Sequence, residues 1–306
     1  MNNQSECEFC GGKKATVINT YKHYWVYCTN CGNIVRRRKK TYLLEFIPKS
    51  IFLKLPKGKT LFSMLNRNKD KDAFYDYYLG DNQGQGIVRR TKWEGELESL
   101  TKELSRFDIS LQNKRVLDIS GGPGFLVQDL KNICKEAVVT EYSQVAVDRM
   151  KDLLKVNAVK FDYDTDKIGK VVNGKFDIVL IRASINFCLD IRKMLVSLKN
   201  ILHQDSIVYV SFTPPTLGAC LRWQFDDYTY HILYNPETLA RLFAEEGLVA
   251  FAKYEMARYH YLRGRHLRFL PLMIPYQIIN SAKNCNRELM QKCLVMIFRK
   301  NPSAAW

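Results

Sequence analysis

Two constellations in the 306-residue sequence set reactive residue types at informative spacings. Near the start, Cys7-Glu-Phe-Cys10-Gly and Cys28-Thr-Asn-Cys31-Gly are two Cys-x-x-Cys pairs separated by seventeen residues. Each pair followed by glycine is a tight knuckle that aims two thiolates at one point. Two knuckles across a hairpin supply the four soft ligands of a tetrahedral zinc. With Cys7, Cys10, Cys28 and Cys31 filling every position, the expected metal is structural and stands in for a core. The second constellation is Val116-Leu-Asp118-Ile-Ser120-Gly121-Gly122-Pro-Gly124, an apolar run that ends in an acid and then turns sharply. A carboxylate at Asp118 has the wrong sign for a pyrophosphate but suits a cofactor with an ammonium group. S-adenosylmethionine has that group, a sulfonium and no phosphate. Val127 also stands where a dinucleotide-binding G-x-G-x-x-G turn needs a third small residue.

These residues need a scaffold to hold them. Val116–Ile119 has the character of a buried strand, and Phe125, Leu126, Leu130 and Ile133 then recur at helical spacing. Further strands are expected at 137–141, 157–161, 176–181, 206–212, 248–254 and 293–299. Helices are expected at about 123–134, 144–155, 190–202 and 236–246, and from Lys92 with Leu97, Leu100, Leu104 and Phe107 on one face. Asn235, Pro236 and Glu237 read as a cap, a first-turn proline and a first-turn acid. Seven strands alternating mostly with helices imply an α/β fold with a largely parallel sheet, helices on both faces and a ligand at the strand C-terminal ends. Thr16–Asn19 and Tyr21–Tyr27 read as short strands between the cysteine pairs. The expected domains are a four-cysteine zinc ribbon over 1–45, a basic linker or substrate-side segment over 46–90, and the main domain over 91–306. The aromatic cluster Phe74–Tyr78 falls in that linker.

Asp118-Ile-Ser-Gly-Gly122-Pro-Gly124 resembles the first motif, usually D-x-G-x-G-x-G, of class I S-adenosylmethionine-dependent methyltransferases. Ser120 stands where the first glycine is common; a serine keeps the turn if its φ is negative, whereas a positive φ would weaken binding. The resemblance, spanning about residues 90–300, implies a Rossmann-like seven-stranded sheet and S-adenosylmethionine as cofactor. It implies cofactor contacts at Asp118, Ser120, Gly121, Gly122 and Gly124, and at Glu141 with Tyr142, where the acid would hold the ribose hydroxyls. Asp162, with Tyr163, would accept from the adenine amino group, Asp164 being a rival, and Arg182 would lie near the transferred methyl. A second stretch, Tyr228-Thr-Tyr230-His231 through Pro236-Glu-Thr-Leu239 to Glu246-Gly-Leu248, resembles a segment of methyltransferases acting on small molecules and sugars. There the histidine faces the substrate, which makes His231 the implied general base for a hydroxyl acceptor. Tyr228 and Tyr230 are further substrate-side residues. A zinc ribbon ahead of such a domain is similar to bacterial methyltransferases of deoxysugar and surface-polysaccharide pathways.

The net charge of +16 is uneven. Residues 1–72 carry +10 and residues 253–300 carry +8, while the centre is slightly acidic. Basic flanks favour an anionic partner. A sugar nucleotide or other glycan-type small molecule is one expectation. RNA docked through the ribbon and Arg36–Lys40 is another, and a non-enzymatic cofactor binder is a third, motivated by Ser120. The run Arg263–Pro275 mixes basic and apolar residues and allows either peripheral membrane contact or a buried segment. Nine cysteines without a signal-peptide pattern point to a reducing cytoplasm, and no apolar run is long enough to span a bilayer.

Overall fold

The computed structural model describes residues 6–12, 14–19, 23–38, 79, 94–216, 219, 231–260 and 291–301. The linker and its aromatic cluster, Tyr228, Tyr230 and the Arg263–Pro275 run lie outside the described residues. The chain divides into two compact units, one of residues 1–69, 213–239 and 255–294, the other of residues 70–212, 240–254 and 295–306.

In the first unit the strands are β1 (Lys14–Asn19), β2 (His23–Cys28) and β3 (Ile34–Arg38). β1 pairs antiparallel with β2 and β2 with β3, with Val26 opposite Val35 and Tyr27 opposite Ile34. Alternation puts Trp25 and Tyr27 inside, while the consecutive residues Ile34 and Val35 are both buried. A fourth strand arrives from far downstream: in β9 (Ile232–Leu233), Leu233 lies opposite Ile34 and Ile232 opposite Val35. The first sheet thus takes in a strand from outside residues 1–45. Arg36, the first residue of the basic run Arg36–Lys40, belongs to β3 and is buried.

The second sheet has the order β10-β11-β8-β7-β4-β5-β6. Its strands are β4 (Arg115–Ile119), β5 (Glu136–Glu141), β6 (Asn157–Lys160), β7 (Phe176–Arg182), β8 (Leu202–Phe212), β10 (Leu248–His260) and β11 (Gln291–Lys300). The pairs β4–β5, β5–β6, β4–β7 and β7–β8 are parallel. Val116, Leu117, Val138, Val139 and Ile178 to Ile181 are buried without alternation, as expected of parallel strands covered on both faces. The helices are α1 (Glu96–Ser105), α2 (Phe125–Leu130), α3 (Gln144–Arg149), α4 (Ile168–Val171), α5 (Ile191–Lys199) and α6 (Pro236–Glu245). α3 passes into a π-helical turn, Met150–Leu154, which completes the expected 144–155 segment. α2 stops earlier than its periodicity suggests, so Ile133 lies beyond the helix and is exposed. No described helix is long and apolar enough to cross a membrane.

The chain runs outward from β4 to β5 and β6, then returns to β7 on the other side of β4. This reversal is a topological switch point, the place where open α/β sheets leave a crevice beyond the strand C-terminal ends. Asp118 lies near the end of β4 and Arg182 closes β7 at that point.

Candidate active site and metal centre

The glycine turn is tied down by β5. Thr140 Oγ1 accepts the Ser120 N–H at 3.2 Å, the Thr140 carbonyl accepts from Gly121 at 3.1 Å, and Glu141 Oε2 accepts from Gly122 at 3.0 Å. The other Glu141 oxygen accepts the Tyr142 N–H at 2.6 Å. Glu141 is thus held rigid, with one backbone N–H on each carboxylate oxygen. Gly121 has a steric reason to be glycine: a Cβ there would sit 2.6 Å from Asp118 Oδ2 and 2.8 Å from Val139. Of the two alternatives for Ser120 the structure takes the positive one, with φ +53°, the case expected to weaken binding. The left-handed conformation costs a non-glycine residue about 1–2 kcal/mol, so its neighbours must hold it in place.

Asp118 is not the open carboxylate that the sequence suggested. It is fully buried and accepts two hydrogen bonds from Arg182, from Nη2 at 2.7 Å and from Nε at 3.2 Å. Arg182 Nη1 donates to Glu96 Oε1 in the first turn of α1. Burial works against the guanidinium charge, but the two carboxylates prevail and hold its proton more firmly than usual. Arg182 is therefore committed to its two carboxylates. The cluster has two carboxylates to one guanidinium, and Glu96 Oε2 is buried with no hydrogen-bond partner among the described residues. Sequence reasoning missed Glu96, which looks like any acid placed against a helix N-terminal dipole.

Beyond β5 and β6 lies a groove of about 610 Å³ lined by Tyr142, Ser143, Val145, Asp162, Thr165 and Asp166. Tyr142 is 42% exposed there, an unusual position for an aromatic ring. Asp162 Oδ1 accepts the Asp164 N–H at 2.9 Å. Asp164 does not line the groove; its carboxylate accepts the Leu189 N–H at 3.0 Å and ties the loop to the segment before α5. Burial raises the Asp164 carboxyl above its ordinary range. Between the rivals, Asp162 is the acid on the groove. Tyr163 is a correction: it is 7% exposed, stacks edge-on against Phe161, and its hydroxyl lies 2.8 Å from Ser184 Oγ. Burial pushes that hydroxyl far up, so it belongs to the core beneath the site rather than to the groove.

Asp118, the turn from Ser120 to Gly124, Glu141, Tyr142 and Asp162 are thus gathered at the C-terminal ends of β4, β5 and β6. His231 belongs to the other unit. Its Nδ1 lies 3.4 Å from Arg36 Nη2. A guanidinium can only donate, so Nδ1 accepts and the ring proton sits on Nε2. Burial first, then the charges of Arg36 and Arg37, push the imidazole down to about 4.

The four cysteine sulfurs, Cys7, Cys10, Cys28 and Cys31, lie within 4.8 Å of one another. Cys7–Cys31 and Cys10–Cys28 are each 3.6 Å apart, against about 3.8 Å between sulfurs on a tetrahedral zinc with 2.3 Å bonds. Cys10 Sγ accepts from Asn30 Nδ2 and from the Gly12 N–H; these outweigh burial and bring its thiol down to about 7. Burial pushes Cys7 and Cys31 up. Four converging sulfurs with amide donors aimed at one of them fit a thiolate-bound cation.

The crevice at the switch point of this doubly wound sheet is the usual place for a ligand in an open α/β fold. A family model described as a methyltransferase domain matches residues 89–252, more than half of the chain. The chain belongs to that methyltransferase-domain family. Solved structures agree on the fold. A candidate methyltransferase from Bacillus halodurans C-125 superposes with a TM-score of 0.50 at 12% identity, covering 66% of this chain and 99% of its own. The YcgJ protein from Bacillus subtilis gives 0.50 at 14%, covering 67% and 99%. A candidate sarcosine dimethylglycine methyltransferase from Galdieria sulphuraria gives 0.50 at 14%, covering 76% and 98%. No curated protein matches the chain.

Proposed function

We propose that this methyltransferase uses S-adenosylmethionine to methylate an anionic small-molecule or glycan-type acceptor, and that its ribbon binds a structural zinc. The observation that carries the cofactor reading is the Gly122 N–H bound to Glu141, a rigid carboxylate beside a groove with an exposed aromatic wall. Glu141 would take the ribose hydroxyls, while Tyr142 and Val145 would flank the adenine and Asp162 would accept from its amino group. The turn from Ser120 to Gly124 would lie under the nucleoside. Preference for a cation then belongs to the whole acidic cluster rather than to Asp118 alone. Its excess negative charge and the unpaired Glu96 oxygen would meet the amino-acid ammonium, with Arg182 aligning both acids.

When bound, the donor would supply an electrophilic methyl carried on a sulfonium, and Glu141, Tyr142, Asp162 and the turn from Ser120 to Gly124 are the residues that would hold it. The chain's work is alignment and exclusion of water. His231 remains the proposed acceptor-side residue, but its role changes from general base to N–H donor. A ring that accepts from Arg36 at Nδ1 carries its proton on Nε2, and a group depressed to about 4 is a poor proton acceptor near neutrality. For RNA as acceptor, Arg36–Lys40 would have to be a free patch. Arg36 is buried and Arg37 pairs with Glu8 at 3.2 Å, which favours the small acceptor.

Calorimetry with S-adenosylmethionine should give one site per chain, with no site for NAD. Labelled methyl from the donor should then pass to a member of a sugar-nucleotide and glycan-precursor panel. Label recovered in RNA alone would overturn the acceptor class, and absence of donor binding would overturn the cofactor.

A further inference from the structure

The cysteine cluster and the His231 segment are far apart in sequence yet folded as one piece. The knuckle closes on itself, with the Gly32 N–H donating to Cys28 O at 2.9 Å and the Cys28 N–H to Asn33 O at 3.0 Å. From that knuckle and the strand after it, polar groups reach the later segment in antiparallel order. Cys31 O accepts the Thr238 hydroxyl at 2.6 Å, and buried Asn33 Oδ1 accepts the Asn235 N–H at 2.8 Å. Ile34 and Val35 pair with Leu233 and Ile232, and the Arg36 N–H donates to the His231 carbonyl at 2.8 Å. Gly32 allows the close approach, since a Cβ there would stand 2.8 Å from Asn235 Nδ2. On the other knuckle Phe9, between Cys7 and Cys10, packs edge-on against Tyr234 at 5.8 Å between ring centres.

β9 is two residues long and has no stability of its own. Its anchor is the sheet that carries the four cysteines, where a bound metal would couple its binding energy to the fold. We infer that the four-cysteine metal centre is a positioning device: by fixing the Cys28–Cys31 knuckle it sets the place of residues 231–238, and so of His231, with Asn33 and Thr238 as the positioning residues. This rests on the proposed zinc. It gives the ribbon a task inside the enzyme, in place of docking a separate partner.

The test is amide hydrogen exchange on the full chain, with zinc content measured alongside. Zinc-loaded protein should hold one ion per chain and protect Ile232, Leu233 and Asn235. Removing zinc with a chelator should speed exchange there at least tenfold while Ile178–Ile181 in β7 keep their protection. Unchanged exchange over 231–238, or equal acceleration in both sheets, would overturn the inference. A chain that never holds zinc would overturn the metal assignment itself, a separate result. Thr238→Val should keep its zinc yet lose protection over 232–235 by several-fold, and Thr238→Ser, which keeps the hydroxyl, should restore it. Full protection in Thr238→Val would count against Thr238 as a positioning residue.

Discussion

Glu96 and Asp118 show how much a residue's chemistry depends on what stands beside it. In the sequence Asp118 is an acid at the end of a strand, and its charge alone argued for a cationic cofactor. In the fold that charge is answered by Arg182, and the unanswered acceptor is an oxygen of Glu96, 22 residues earlier. If Glu96 meets the ammonium, Glu96→Gln should weaken S-adenosylmethionine and S-adenosylhomocysteine about tenfold, the loss expected for a charged hydrogen bond. Methylthioadenosine, which lacks the amino-acid end, should bind as before. Calorimetry with the three ligands separates the cases, and an equal loss for all three would mean that the new amide merely disturbs the site. Tyr163 carries the complementary lesson. It neighbours Asp162 in sequence, yet one side chain lines the groove and the other is sealed in the core.

At the scale of elements, the strand–turn–helix unit around Gly121 joins local pattern to tertiary packing. Periodicity and glycine content announced β4, the turn and α2; what the turn is bound to came from β5, about twenty residues on. Gly121→Ala therefore tests the packing. Its Cβ would collide with Asp118 and Val139, neither of which is the loose end of a flexible chain. We expect a loss of about 1–3 kcal/mol in stability, the usual range for overpacking, together with loss of donor binding. Chemical denaturation and calorimetry would check both. A variant with unaltered stability and affinity would show that the turn has more room than the geometry allows. The cap of α6 was legible throughout: Asn235 Oδ1 accepts from Glu237 and Thr238, because the cap depends on four consecutive residues and nothing else.

At the scale of the whole molecule, folding stability should carry the mark of His231. Its ordinary value is 6.5 and burial, with Arg36 and Arg37 nearby, brings it to about 4 in the fold. Between those values the unfolded chain binds a proton that the folded chain refuses. Stability is therefore level above pH 6.5 and falls as the pH drops toward 4. Denaturation midpoints across that window, compared with those of His231→Gln, isolate this residue from the acid-labile thiolates; identical pH curves would remove the buried neutral imidazole from the account. The sequence by itself determined the alternation of strands and helices, the knuckles and the helix cap, since each depends on residues a few positions apart. The tertiary structure alone decided that β9 completes the ribbon, that Arg182 joins Asp118 to Glu96, and which of two adjacent side chains faces the groove. Those outcomes depend on strand order and on the direction a side chain leaves the backbone, and both are settled when distant segments pack.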